Sequence, residues 1–251
     1  MHSNFLKEKI GNNEVTLGAW VGIGHPEITE ILSELDFNWL LMDTEHSPLS
    51  TETVQLLMQA MNRTNVTPLV RVAWNDSVLI KKALDIGAQG VMVPHVNTKD
   101  DAKKAVLSCK YPPKGIRGVG PRRASVYYIK QDEYLERVDE IMTIVQIETE
   151  DSVRNIDDIL TVDGVDAFFI GPYDLSASMG VLGQTSNSRV QESIAKVLES
   201  GKKHGVYPGI WSGSTKKANQ HIQEGFKFIA LGEDIEFLVK GCTDTISGIR
   251  R

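Results

Sequence analysis

Cysteine is scarce. There are two in 251 residues, Cys109 and Cys242, without metal-type spacing, so no disulfide framework is available and both read as reduced thiols. No run of 18 apolar residues occurs, which leaves no candidate for a membrane-spanning helix. Residues 1–14 are polar and mixed in charge, without the apolar core of a signal peptide, and the expected location is the cytoplasm. Positive charge is short as well. The 27 Lys and Arg stand against 33 Asp and Glu, a net charge of −6, which suits neither nucleic acid nor an anionic membrane as a partner. The Gly-x-Gly-x-x-Gly of a dinucleotide fold is also missing, because residues 22–27 (GIGHPE) put Glu27 where the third glycine belongs. These absences leave a globular protein whose partner is a small molecule.

What the chain does have is repetition. Short apolar runs at 17–21, 39–42, 68–72, 90–93, 143–147, 167–170, 208–211 and 228–231 alternate with helix-period stretches at 27–35, 51–61, 78–86, 99–109, 134–141, 153–160, 190–204 and 216–224. A last amphipathic stretch, 234–249, closes the chain. Pro26, Asp76 or Ser77, and Asn97 or Thr98 mark helix starts, while Gly87, Gly201, Gly205 and Gly225 mark stops. Eight strand and helix units with near-continuous apolar strands predict an α/β protein, a TIM-type (β/α)8 barrel formed as one domain over residues 1–251. An open doubly wound sheet is the alternative. Residues 111–130 form one long irregular insert between the fourth and fifth units, and such stretches are functional or mobile.

In a barrel the chemistry sits at the C-terminal ends of the strands. The polar residues there are Asp43, Thr44, Glu45, His46, Arg71, His95, Gln146, Glu148, Asp174, Ser212 and Glu233. Glu148 and Asp174 lie one strand-helix-strand unit apart, so parallel neighbouring strands would deliver both acids to one edge, as a hard divalent metal requires. The alternative makes Glu148 the opening of a helix and Asp174 the cap of a turn. His46, with Asp43 three residues before it, fits a general base held in one tautomer, or a histidine that merely packs. Glu45 between them reads as surface or interface. Arg71, in an apolar strand, needs an anion, either Asp43 or a substrate carboxylate. His25 and His95 read as metal ligands or as packing residues. No Lys stands at a strand end, which argues against a Schiff-base enzyme. Residues 115–123 (GIRGVGPRR) fit an anion-binding loop or an exposed loop with interface arginines.

Residues 40–46 (LLMDTEH), 69–76 (LVRVAWND), 84–89 (LDIGAQ), 111–120 (YPPKGIRGVG), 145–150 (VQIETE) and 164–176 (GVDAFFIGPYDLS) together closely resemble the HpcH/HpaI family of metal-dependent pyruvate aldolases. The resemblance runs from about residue 17 to about 238. It implies reversible cleavage of a 4-hydroxy-2-oxo acid, of the 2-keto-3-deoxy type, into pyruvate and an aldehyde through a metal-stabilised enolate. By the same resemblance Glu148 and Asp174 hold a divalent metal (Mg²⁺, Mn²⁺ or Co²⁺), Arg71 holds the keto acid, and His46 is the base with Asp43 beside it. Gln146 lines the keto-acid site, Asp85 supports His46 across a subunit contact, and Gly171, Tyr173 and Ser212 complete the substrate pocket. A homo-hexamer that exchanges the 234–249 helix between subunits is likewise implied. A coenzyme A thioester lyase of the citryl or malyl type, and a non-catalytic metabolite-binding barrel, are the rival expectations. The chain departs from the family at Thr44, Tyr173 and residues 210–214 (IWSGS), where the aldehyde would approach.

Overall fold

Apolar strands with no charged residue in their middles have to be covered on both sides, and closing them on themselves also removes the edges. A computed structural model describes residues 4–249. The beginning of the polar 1–14 stretch and the end of the 1–251 domain lie outside the described residues. Eight strands follow one another around a closed barrel: β1 (Thr16–Val21), β2 (Trp39–Asp43), β3 (Thr67–Arg71), β4 (Gly90–Val93), β5 (Met142–Ile147), β6 (Ala167–Ile170), β7 (Tyr207–Trp211) and β8 (Phe228–Glu233). Every neighbouring pair is parallel, including β8 with β1. The barrel expectation holds, and the open sheet is excluded.

Side chains alternate along each strand between the barrel interior and the helix layer. Trp39, Leu41, Leu69, Met92, Met142, Ile144, Phe169 and Phe228 pack together inside, while Leu40, Met42, Val70, Val145, Phe168 and Ile229 join the larger cluster under the helices. Continuing each inward series by two residues gives Asp43, Arg71, and Gln146 followed by Glu148. The alternation that builds the core therefore also aims these polar groups into the barrel's C-terminal mouth. At the other end, a helix over Phe5–Gly11, capped by the Asn4 side chain, inserts Leu6 and Ile10 into the interior cluster. This plug was not expected, because its sequence is short and mostly polar.

Most helices stand where expected. Pro26 opens Pro26–Ser33, Asp76 caps Ser77–Asp85 with its side chain, and Thr98 caps Lys99–Cys109 in a capping box. Gly205 and Gly225, at φ 69° and 113°, end two others in the left-handed conformation that glycine adopts without strain. Four expectations need correction. The 153–160 helix is two short ones, Glu150–Arg154 and Ile156–Leu160. The 134–141 helix is Gln131–Glu136 followed by a 3₁₀ turn at Val138–Glu140. An additional helix, Pro172–Ser178, follows β6, started by Pro172 at its first position. Gly201 stops nothing; it lies inside Ser188–His204, where a methyl group would come within 2.3 Å of the Phe168 ring.

The closing helix, Asp234–Ser247, leaves Leu238, Val239 and Ile246 more than half exposed. No helix among the described residues is long and apolar enough to cross a membrane. Cys109 is buried and Cys242 exposed, both free, and burial pushes the Cys109 thiol up to about 11.

Candidate active site

The mouth is organised around Arg71, the last residue of β3. The β2–β3 register sets Asp43 directly beside it, and the guanidinium grips that carboxylate with two parallel bonds, Nε to Oδ1 and Nη2 to Oδ2, both 2.8 Å. Both residues are buried, Asp43 2% and Arg71 4% exposed. Burial pushes the Asp43 carboxyl up, but the hydrogen bonds and charge of Arg71, together with the N–H groups of Glu45 and His46, outweigh it and hold the group below the usual carboxylate range. Trp20 lies against the guanidinium, its ring centroid 4.0 Å from Cζ. The same indole meets Trp211 edge-on at 5.2 Å and Phe169 at 6.0 Å.

This pairing answers one open question and overturns two expectations. The anion beside Arg71 is Asp43. The carboxylate of Asp43 therefore does not hold the His46 ring; its Oδ1 accepts instead from the backbone N–H groups of Glu45 (3.0 Å) and His46 (3.4 Å). The His46 side chain is exposed at the rim. Glu45 is not a surface residue either. Its side chain is 11% exposed, with Oε2 3.0 Å from Arg71 Nη1 and Oε1 3.8 Å from His95 Nε2. Oε2 lies off the N–H direction and has no aligned hydrogen bond, so the contact with Arg71 is an ion pair only. Burial raises the Glu45 pKa against the charges of Arg71 and the nearby histidines.

Across the mouth stand the two acids. Glu148, 3% exposed, follows β5 without opening the next helix, since Thr149 is the cap of Glu150–Arg154. Asp174 lies in the first turn of Pro172–Ser178, where Gly171 is the N-cap and no side chain caps. Neither acid caps a helix with its side chain. A methyl group at Gly171 would lie 3.5 Å from Glu148 Oε2, 3.5 Å from Asp174 Oδ2 and 3.3 Å from Gln146 Nε2. Three polar groups thus converge on one bare stretch of backbone. Burial raises the Glu148 pKa, and the charges of Asp174 and Glu45 raise it further, against the opposing N–H and charge of His95. A buried carboxylate facing a second one asks for a cation between them. Oxygen donors of this kind suit a hard divalent ion. Among the described residues no group of three or more His, Cys, Asp and Glu is arranged to hold a metal, so the pair would share its ion with oxygens from substrate or water. The donor set fits such an ion.

Other predicted residues find mixed places. Gln146 Oε1 and Ser212 Oγ are buried at this end without a hydrogen-bond partner. Tyr173 is 58% exposed at the rim. His95 sits between Glu45 and Glu148, whereas His25 caps Pro26–Ser33 at an exposed position. Asp85 is at the opposite end of the barrel, at the close of Ser77–Asp85, paired with Arg117 Nη2 at 2.8 Å. At the start of the glycine-rich loop three donors are taken by the preceding segment: Gly115 N–H goes to Tyr111 O, Ile116 N–H to Leu107 O and Arg117 N–H to Lys110 O. Arg123 is taken by Ile86 O and Asn62 Oδ1. Trp20 and Trp211 were not among the predicted site residues, although Trp211 closes β7 and Trp20 stands one residue before the end of β1, both on the inward side.

Residues 16–240 match the model of the HpcH/HpaI aldolase/citrate lyase family. The chain is 38% identical over 240 residues to a 4-hydroxy-2-oxo-heptane-1,7-dioate aldolase of Salmonella dublin, covering 95% of this chain and 91% of the relative. Among solved structures, an HpcH/HpaI aldolase/citrate lyase family protein from Burkholderia cenocepacia J2315 superimposes with a TM-score of 0.96 at 32% identity, over 99% of this chain and all of that one. An HpcH/HpaI aldolase from Desulfitobacterium hafniense DCB-2 gives 0.89 at 29% identity, over 98% of each chain.

Proposed function

The chain belongs to the HpcH/HpaI aldolase/citrate lyase family, and on that premise we propose how its residues work as a class II aldolase, a carbon–carbon lyase. The reaction is the reversible cleavage of a 4-hydroxy-2-oxo acid to pyruvate and an aldehyde. The observation that carries the reading is the convergence of Glu148 Oε2, Asp174 Oδ2 and Gln146 Nε2 beside Gly171, at the same barrel mouth as Arg71.

Glu148 and Asp174 would hold a divalent metal, with Mg²⁺, Mn²⁺ and Co²⁺ the candidates. When bound, such an ion supplies a Lewis acid for the oxygens of the 2-oxo acid. Gln146 and the backbone of Gly171 and Tyr173 line the carboxylate, Pro172 having no N–H to offer. Ser212 Oγ, buried and unpartnered, takes a further substrate oxygen. His46 at the rim accepts the proton of the C4 hydroxyl. As the C3–C4 bond breaks, its electron pair passes to C3 and onto the 2-oxo oxygen, and the carbonyl of the departing aldehyde forms at C4. Arg71, fixed by Asp43, faces the negative charge of the enolate. Return of the proton from His46, through water, to C3 completes pyruvate and restores the base.

Asp85 reaches a His46 only if a second subunit brings its opposite end to this mouth. We therefore include in the proposal a hexamer in which the apolar face of Asp234–Ser247 is covered by exchange between subunits, and a cytoplasmic location. The test is condensation of pyruvate with a panel of aldehydes, including succinic semialdehyde, lactaldehyde and glyceraldehyde, in Mg²⁺, Mn²⁺ or Co²⁺. Product forms with at least one, chelator abolishes it, and borohydride traps no pyruvate adduct. Full activity in excess chelator, or a trapped adduct, would sink the reading.

A further inference from the structure

Side chains from four consecutive strand ends come within ion-pair distance of one another across the mouth, where the His95 side chain is 41% exposed. After β2 comes Glu45; at the end of β3 is Arg71; after β4 is His95; after β5 is Glu148. Arg71 Nη1 lies 3.0 Å from Glu45 Oε2, Glu45 Oε1 lies 3.8 Å from His95 Nε2, and His95 Nδ1 lies 3.4 Å from Glu148 Oε1. The main-chain N–H of His95 also donates to Glu148 Oε1 at 2.8 Å. A single imidazole therefore has one ring nitrogen toward the acid beside the arginine and the other toward the acid that faces Asp174.

The backbone at His95 is built for this. Its φ of 52° lies in the left-handed region, which non-glycine residues seldom occupy and which asparagine, aspartate and histidine tolerate best. That conformation turns the N–H toward Glu148, and the ring is steadied from the rim by Trp74, with centroids 5.2 Å apart. Holding Glu148 through Oε1 leaves Oε2 turned to the Gly171 side, where Asp174 Oδ2 also points. Groups that fix a ligating carboxylate from behind tune metal affinity without touching the ion.

We propose that His95 and Glu45 are positioning residues, a strut that couples the arginine side of the site to the metal-holding side by acting through Arg71 and Glu148. The inference rests on the aldolase reading for the meaning of both sides. It predicts that neither side can be disturbed alone: loosening the imidazole shifts Glu148 and, through Glu45, Arg71. The competing view makes the His95 ring a packing partner of Trp74, with only its main-chain N–H engaged.

Two variants separate these views on the full chain. His95→Phe keeps a ring for Trp74 and the main-chain N–H but removes both ring nitrogens. His95→Asn suits the left-handed backbone and also keeps the N–H. Each weakens Mn²⁺ binding, measured by electron paramagnetic resonance or calorimetry, by about 10- to 100-fold. Glu45→Gln lowers kcat for the pyruvate reaction more than it raises KM, because the charge of Arg71 matters most as the enolate forms. In the double variant His95→Phe with Glu45→Gln, the losses do not multiply, since either substitution already cuts the strut. Wild-type Mn²⁺ affinity in both His95 variants, or losses that multiply in the double variant, overturns the strut while the aldolase reading stands. A wild-type protein that binds no divalent ion overturns both.

Discussion

Replacing Arg71 by methionine keeps the length of an unbranched side chain and removes the cation on which both oxygens of Asp43 rest. Asp43 is 2% exposed, so the variant leaves a buried carboxylate without its partner. Breaking a buried pair from one side costs about 3–5 kcal/mol. At this chain length a loss of 1 kcal/mol lowers the midpoint by about 2 °C, so the thermal transition falls by roughly 6–10 °C at pH 7. The pH dependence gives a sharper test. In the wild type the Asp43 pKa is depressed, so its contribution is present above the unfolded value of about 3.9 and is lost as the pH falls through the folded one. In Arg71→Met burial, the largest single influence, is opposed only by the N–H groups of Glu45 and His46, and the folded pKa is expected to rise above the unfolded one. The variant then recovers stability as the pH falls from neutral toward about 4, so its deficit against wild type narrows. Urea unfolding followed by circular dichroism at pH 7 and pH 4.5 measures this. A deficit under about 1 kcal/mol at pH 7, or one equally large at both pH values, would refute the claim that Arg71 chiefly neutralises Asp43.

His46→Gln should retain pyruvate binding and metal affinity and lose about 10²- to 10⁴-fold in kcat for cleavage; loss of Mn²⁺ affinity instead would make His46 a metal-site residue. Gly201→Ala sets two effects against each other. Helix propensity favours alanine by about 1 kcal/mol, but the methyl would meet Phe168 Cε1 at 2.3 Å, and overpacking of this kind costs about 1–3 kcal/mol or more. Packing should win, so the variant unfolds at lower urea, and a stabilised variant would show that Phe168 can move aside.

The barrel was legible because every strand is covered on both sides and so reads as an uninterrupted apolar run, and because helix starts carry side-chain chemistry as specific as Asp76 and Thr98. What escaped had no such signal. Phe5–Gly11 buries Leu6 and Ile10 in a segment of seven residues whose middle is Lys7, Glu8 and Lys9, and three apolar residues at its ends are too small a pattern to announce a helix. Gly201 was read as a stop because glycine is unfavourable in helices; its real constraint is a ring on a strand more than 30 residues earlier, and no local reading contains that contact.

The site divides along the same line. Which residues point into the mouth follows from alternation alone, since Met142, Ile144, Gln146 and Glu148 share one face, as do Leu69 and Arg71. Which of them bond to each other does not. Asp43 and His46, three apart in sequence, suggested a dyad, yet the carboxylate faces Arg71, 28 residues away, because β2 and β3 pair in register with Asp43 opposite Arg71. Cross-strand register outweighs proximity in sequence wherever strands are parallel, since the neighbour lies a whole helix away along the chain. Glu45 is hidden from the sequence for a different reason. Asp43 is aimed inward at the end of β2, but the chain then bends over residues 44–47, with the Glu45 N–H turned back to Asp43 Oδ1, so alternation no longer says where the Glu45 side chain goes. The strand-end rule therefore places Glu148 two residues beyond Gln146 but does not reach Glu45, which the bend, and not alternation, brings to the other side of His95.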